Sequence, residues 1–261
     1  MATACVINQQ ALIETGLFQE WSSETFNKLK NIDVSHKIPL DAVAESMGEY
    51  LRTNGLNSEL GITRTHNHFK LNPGEVVQLT LGSSIDEPSI KASSEATVAH
   101  LSPIELNDTD TMPIPYMWAY NKASKQFFAM QFFDGSNTTM QRRFNELCGE
   151  KRDKLVAFLV HFIDKVEKTS TEDDLGFYIR YEDLMKLDSE NGEGLLEDTD
   201  ISGRRQWMTP KTKEMLQAIL SEKQKIQPDY KISMTHWFFN DTIGSMQNDY
   251  HSCCHCCCHN N

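Results

Sequence analysis

Three stretches of the chain have apolar residues three or four positions apart, the spacing of a helix with one buried face. They predict helices over 39–52, 140–168 and 209–225, and a weaker pattern predicts a short helix within 1–35. Cys148-Gly149 interrupts the second stretch and indicates a break there.

Alternating and β-branched or aromatic runs predict strands. Residues 60–71 and 75–81 flank Asn72-Pro73-Gly74, so turn chemistry predicts a hairpin in which His66 and His68 share one face. A second hairpin is predicted from 116–120 and 126–133. Further strands are expected over 97–101, 175–181, 204–208 (an edge strand) and 230–239.

These elements indicate an α+β fold, a single domain with a mixed or antiparallel sheet and three or more packed helices. Residues 1–35 would be an N-terminal extension with a short helix, 36–240 the α+β domain, and 241–261 a flexible Cys/His-rich tail. The order helix, Leu-Gly, strand occurs twice, which suggests a diverged repeat over 40–133 and 140–239.

The composition of the chain excludes some classes of binding partner. A chain of 261 residues with 39% hydrophobic residues is typical of a soluble globular protein. The net charge of −12 argues against nucleic acid as a partner, because phosphate binding relies on a basic face. No run of about 20 apolar residues and no signal peptide is found, so we expect no transmembrane segment and a cytoplasmic location with reduced thiols.

The last eleven residues hold five of the seven cysteines and three of the nine histidines. Thiolate and imidazole are the ligands that soft and borderline metals prefer, and Cys-x-x-Cys occurs here twice in overlapping registers. The cluster therefore predicts a site for copper or zinc. Its candidate ligands are His251, Cys253, Cys254, His255, Cys256, Cys257, Cys258 and His259.

Two other interpretations of this tail stay open. Clustered cysteines are also substrates for S-acylation, which would make the chain a peripheral membrane or interaction protein. However, the segment has no Lys or Arg after Lys231 to support an anionic membrane surface. The other interpretation is a biased, disordered segment without a role.

A second metal site is suggested by His66-x-His68, because two imidazoles on one strand face can bind one ion. His236 is the main candidate to complete it, and Glu75 and His100 are others. The alternative function is then a small metalloenzyme that uses these histidines. A histidine pair on a strand is, however, more often a hydrogen-bonded surface or core feature without a metal.

Other catalytic signatures, among them the phosphate-binding loop and the Gly-x-Ser-x-Gly elbow, are absent, so no substrate is indicated. Cys148 and His161 lie too far apart on one predicted helix to act together. Cys148 is better explained as a small buried hydrophobe.

Leu60-Gly61-Ile62, His66-Asn67-His68-Phe69 and Gly74-Glu75-Val76-Val77 carry a resemblance. Together with a Trp-containing last strand and a Cys/His-bearing end, they resemble a group of uncharacterised proteins of fungi and other eukaryotes. This resemblance implies that His66, His68 and Phe69 are a built feature of the fold, and it implies no activity.

Overall fold

The structure is a computed structural model. It describes residues 10, 12–29, 42–67, 70–83, 97–106, 112–169, 175–181, 196–199, 205–208, 233–234, 236–241, 245–248 and 253–254. Only the backbone is described for residues 42, 81–83, 97–102, 196–199, 205–208, 233–234, 236–238, 240, 245, 247–248 and 253–254. The described residues form helices and a mixed sheet, so the predicted α+β class is confirmed.

Four helices are described: α1 (Ser23–Phe26), α2 (Ala42–Thr53), α3 (Thr138–Cys148) and α4 (Arg152–Lys168). The predicted break at Cys148-Gly149 is confirmed, because α3 ends there and α4 begins at Arg152. The side chain of Asn137 starts α3 by accepting a 3.0 Å hydrogen bond from the backbone N–H of Met140. The predicted helix over 209–225 lies outside the described residues.

The described strands form one sheet with the order β11-β10-β1-β6-β4-β5-β2-β3-β8-β7-β12-β9. The β2–β5 and β7–β12 pairs are parallel and the others antiparallel. The strands are β1 (Leu60–Arg64), β2 (Glu75–Ser83), β3 (Thr97–Glu105), β4 (Ile114–Asn121), β5 (Gln126–Phe133), β6 (Leu175–Ile179), β7 (Leu196–Thr199), β8 (Arg205–Met208), β9 (Ser233–Met234), β10 (His236–Asn240), β11 (Ser245–Asn248) and β12 (Cys253–Cys254).

The two ends of this strand order meet. β9 stands at one end and β10 next to the other, yet only residue 235 separates them in the sequence. Since neighbouring Cα atoms are about 3.8 Å apart, the end of β9 and the start of β10 lie no more than about 8 Å apart. β9 pairs with β12, and β10 pairs with β1 and β11.

The hairpin predicted from 116–120 and 126–133 is confirmed, with Tyr120 opposite Phe127. The hairpin predicted from 60–71 and 75–81 is wrong. β1 ends at Arg64 and pairs with β6 and β10, whereas β2 pairs with β3 and β5. The Asn72–Gly74 turn does form, with Gly74 at φ 89°, but both edges of β1 are occupied by distant strands. The strand predicted over 204–208 is confirmed as β8, but its predicted position at an edge is wrong, because β8 lies between β3 and β7.

Aromatic side chains fill both sides of the central strands. On the side of α3 and α4, Trp118 stacks on Phe177 at 4.8 Å between ring centroids, and Phe177 meets Phe158 of α4 edge-on at 5.9 Å. Elsewhere Trp21 of the N-terminal segment packs edge-on against Phe132 at 5.6 Å. This two-sided burial explains why β4 and β5 are almost continuously apolar.

Candidate functional site

Buried polar side chains are concentrated at the end of β1 and in the residues that follow it. Among the described residues five polar side chains are buried, and four of them are Thr63, Thr65, His66 and Asn67. Burying a polar group costs free energy unless it is hydrogen-bonded, so a concentration of this kind requires a specific arrangement of partners. The segment 63–67 is therefore the best-defined candidate site in the described part of the chain.

His66 follows the last residue of β1 by two positions and is 6% exposed. Its Nδ1 lies 3.1 Å from the backbone oxygen of Arg64. A carbonyl oxygen only accepts, so Nδ1 must carry the proton and donate it. In the neutral ring the lone pair is then on Nε2. Donation from the other ring nitrogen to a carbonyl is how ligating histidines are usually oriented.

Asn27, the C-cap residue of α1, holds the far end of this segment. Its Nδ2 donates to the backbone oxygen of Leu71 and its Oδ1 accepts from the backbone N–H of Leu71, both at 2.9 Å. The backbone oxygen of Asn27 also accepts from the ammonium of Lys70 and, at 3.4 Å, from Nδ2 of Asn67. The loop after His66 is therefore tied to the N-terminal segment. Sequence reasoning missed Asn27, because nothing in its local pattern indicates a partner 44 residues away.

His236 belongs to a strand that pairs directly with β1. His236 is paired with Thr63, and Thr63 lies three residues before His66 in the sequence. Three residues of extended chain span about 10 Å, so the two histidine-bearing segments are neighbours, although the backbone register does not set them opposite each other. His68 lies outside the described residues. The strand that was predicted to carry both histidines ends at Arg64, before His66, and the shared face of His66 and His68 stays a prediction.

The other candidates for this site lie elsewhere. Both carboxylate oxygens of Glu75 accept hydrogen bonds from Asn72, at 2.7 Å from its backbone N–H and 2.9 Å from Nδ2. His100 lies on β3, where it is paired with Thr80 of β2. In the strand order of the sheet, β3 is five strands away from β1. Within the described part of the chain no three His, Cys, Asp or Glu residues lie close enough together to hold a metal.

Of the tail, Cys253 and Cys254 are described, as the backbone of β12. β12 lies between β7, to which it is parallel, and β9, to which it is antiparallel. The remaining tail ligands fall outside the described residues: His251, His255, Cys256, Cys257, Cys258 and His259. The tail thus joins the sheet beside the segment that leads through residue 235 to His236.

His161 of α4 is a titratable group that sequence reasoning did not single out as a site. Its ring stacks on Tyr50 of α2 at 4.2 Å between centroids. Among the described residues its buried Nε2 has no hydrogen-bond partner. Burial, and secondarily the nearby Lys165 ammonium, lowers the pKa of His161. Cys148 is 5% exposed in the core, as expected of a small buried hydrophobe.

The site therefore has one oriented imidazole, at His66, while His236 lies on the neighbouring strand β10 and Cys253 and Cys254 lie on β12, which pairs with β9. No helix in the described part of the chain is long and apolar enough to cross a membrane. Comparisons of the chain with models of protein families, with curated proteins and with solved structures find no match.

Proposed function

We propose that this protein binds a soft transition metal, copper or zinc, through the Cys/His cluster of residues 251–259. The observation that carries the proposal is the density of ligands, five cysteines and three histidines in the last eleven residues. Such a set suits Cu(I), or zinc ions that share thiolates, better than a single tetrahedral zinc.

The position of β12 supports this proposal. A ligand cluster binds more tightly when part of it is already ordered, because less conformational entropy is lost on binding. β12 has a hydrogen-bonded strand on each side, which would fix the spacing of two of the cysteines. We further propose that residues 36–240 are a single domain with at least three packed helices, that the protein is cytoplasmic, and that buffering or delivery of the metal is its role.

Competition for metal tests the proposal. Full-length protein is compared with a variant in which Cys253, Cys254, Cys256, Cys257 and Cys258 are all serine, using bathocuproine disulfonate for Cu(I) and a chromogenic chelator for zinc. We expect the full-length protein to compete and the variant to lose this capacity. Equal metal content in the two proteins would contradict the proposal. Membrane association that hydroxylamine reverses, without bound metal, would establish acylation instead.

One observation favours a second metal site at His66, as in a small metalloenzyme. Nδ1 of His66 donates its hydrogen bond to the backbone oxygen of Arg64, which orients the ring. His68 and His236 are the proposed additional ligands. The test is made in the five-serine background, where metal that stays bound and is then lost in His66→Ala and in His236→Ala would identify this site. Retention of that metal in both would exclude it.

A further inference from the structure

Two helices of the described chain are followed by strands in the same order. β1 follows α2 and β6 follows α4, and in both cases the strand has five residues and starts seven positions after the helix ends. These strands begin with Leu60-Gly61 and Leu175-Gly176. An antiparallel strand pair and a hairpin come next, β2–β3 and β4–β5 after β1, and β7–β8 and β10–β11 after β6. The first unit is therefore residues 42–133, and the second unit is residues 152–254.

Strand pairing is also the same in the two units. The first strand of each hairpin pairs antiparallel with the first strand of the other unit, β4 with β6 and β10 with β1. In both pairs a tryptophan meets the third residue of that first strand. Trp118 pairs with Phe177. Trp237 pairs with Ile62. Both hairpins have a turn of four residues, so each hairpin lies beside the other unit in the same register.

The contacts between helix and hairpin are equivalent as well. Arg52, one residue before the end of α2, lies 5.5 Å from the ring centroid of Phe239, one residue before the end of β10. Glu167, one residue before the end of α4, accepts a 3.0 Å hydrogen bond from the hydroxyl of Tyr120, one residue before the end of β4. The same helix position thus contacts the same hairpin position in both units.

This equivalence gives His66 a counterpart, Tyr181. Each follows the last residue of its strand by two positions, and each is buried. The ring of Tyr181 lies at the open end of the β4–β5 hairpin, 5.5 Å from the ring of Tyr116 and 5.8 Å from that of Phe133, the last residue of β5. The corresponding place for His66 is the open end of the β10–β11 hairpin.

The tail lies at that open end. β9 precedes β10 and β12 follows β11, and β9 pairs antiparallel with β12 as β10 does with β11, so the two pairs are nested. In addition, β12 is parallel to β7 as β5 is parallel to β2. The second strand of this hairpin therefore leads into β12, which contains Cys253 and Cys254.

The register of β1 gives the same placement independently. Thr63 pairs with His236. Continued by three residues, this register brings His66 level with Ser233, which pairs with Cys254. Since neighbouring strands are about 4.8 Å apart, the backbone of β12 lies about 10 Å from the backbone of His66.

We infer that His66 is a ligand of the metal site of the tail, so that the tail cluster and His66 form one site. This inference rests on the proposed function and deepens it by adding a ligand from outside the tail. His66 suits this role, because its Nδ1 donates to the Arg64 carbonyl and its Nε2 keeps the lone pair. Imidazole is a ligand for both copper and zinc. β12 anchors the cluster beside His66, whichever of the eight tail ligands bind the ion.

His66→Asn tests the inference in the full chain. Asparagine keeps a side-chain N–H in place of Nδ1 as the donor to the Arg64 carbonyl, but it has no imidazole. His161→Asn is the matched control, because it removes another partly buried histidine, one that stacks on Tyr50 of α2. Affinity is measured by competition, anaerobically against bathocuproine disulfonate for Cu(I) and against a chromogenic chelator for zinc.

We expect His66→Asn to weaken metal binding at least about tenfold, since loss of even an outer-shell partner typically costs 10- to 100-fold. His161→Asn should leave the affinity unchanged. X-ray absorption at the edge of the bound metal should show fewer imidazole ligands per ion in His66→Asn than in the unaltered protein.

His66→Cys separates a ligand from a residue that only supports the fold. A thiolate is itself a ligand for copper and zinc, so His66→Cys should bind the metal more tightly than His66→Asn does. X-ray absorption should then show a sulfur neighbour in place of the lost nitrogen. Equal loss of affinity in the two variants would mean that His66 acts through the fold, and it would overturn the inference.

The proposed function and this inference can fail separately. If full-length protein and the five-serine variant bind metal equally, the proposed function fails and the inference fails with it. If the tail cysteines are required but His66→Asn binds the metal as tightly as the unaltered protein, only the inference is overturned. Metal that stays bound in the five-serine background and is lost there in His66→Ala would show two separate sites, and this result would also overturn it.

Discussion

The side-chain amide of Asn27 makes two hydrogen bonds with the backbone of Leu71, one as donor and one as acceptor, each 2.9 Å long. This pairing imitates one step of a β-ladder with a single side chain. It satisfies the backbone groups of Leu71, which is buried and follows the loop that contains His66. The N-terminal segment thereby contributes to the shape of the candidate site.

Asn27→Ala should lower the free energy of unfolding by about 1–3 kcal/mol, because it removes two hydrogen bonds and leaves the partly buried Leu71 backbone groups unpaired. Urea denaturation measures this loss. Asn57→Ala is the control, since it removes one exposed hydrogen bond, from Nδ2 to Asp241 at 2.7 Å, and should cost much less. Equal losses in the two variants would show that Asn27 does not hold the loop.

Gly176→Ala tests the close approach of β6 to β4. A Cβ atom at this position would overlap the backbone carbonyl of Trp118 and the methyl group of Thr65. A backbone atom cannot move aside as a side chain can, so we expect destabilisation at the upper end of the 1–3 kcal/mol typical of overpacking, or beyond it.

Gly48→Ala provides the comparison, because the three atoms nearest to its Cβ would all belong to the flexible side chain of Met246. Alanine also stabilises a helix interior by about 1 kcal/mol relative to glycine, which offsets part of the collision. Thermal denaturation should give Gly176→Ala a clearly lower melting temperature than Gly48→Ala. The reverse order would contradict the described packing of β6 on β4.

Local patterns were sufficient for elements whose partners lie nearby in the sequence. The β4–β5 hairpin follows from two aromatic runs and a polar turn, and the broken helix follows from its apolar stripe and Gly149. The partners of β1 could not be found in this way. Leu60 pairs with Ile179, more than a hundred residues later, and Ile62 with Trp237. A turn sequence alone cannot indicate that such distant strands occupy both edges of β1.

In the candidate site, too, some features could be predicted from the local sequence and others depend on the folded sheet. His66 could be singled out from its spacing to His68, but its burial and its bond to the Arg64 carbonyl depend on where β1 ends. The position of β12 between β7 and β9 depends on strand pairing, which is set by the packed sheet and not by Cys253 or Cys254 alone. The composition of the tail needed no structure, and its metal is still a prediction.

Cys148 provides a test of where the metal-binding thiols lie. It is buried in the core on α3, so its thiol should behave as a small hydrophobe. Cys148→Ala should leave the copper and zinc stoichiometry of the full-length protein unchanged, and in the native protein Cys148 should react with iodoacetamide only after urea is added. Elemental analysis of the purified protein measures the metal stoichiometry, and mass spectrometry of labelled peptides measures the reactivity of the thiol. Loss of bound metal in Cys148→Ala would contradict the assignment of the site to the tail.

The stacked pair of His161 and Tyr50 makes stability depend on pH in a calculable direction. Burial first, and the Lys165 ammonium second, lowers the pKa of His161 in the folded protein, while Asp164 opposes this shift weakly. The unfolded chain then binds the proton at a higher pH, near the ordinary pKa of about 6.5. Below that pH the unfolded state holds more protons than the folded state, so stability must fall as the solution is acidified until the folded pKa is passed.

His161→Phe should remove this component while keeping a ring stacked on Tyr50. We expect the stability difference between pH 7.5 and pH 5.5, from urea denaturation, to be smaller in His161→Phe than in the unaltered protein. Lys165→Met, which removes the neighbouring positive charge, should reduce the difference partly, since burial remains. The other titrating groups are common to all three proteins and largely cancel in the comparison. An identical pH dependence in His161→Phe would mean that His161 is solvated and titrates alike in both states.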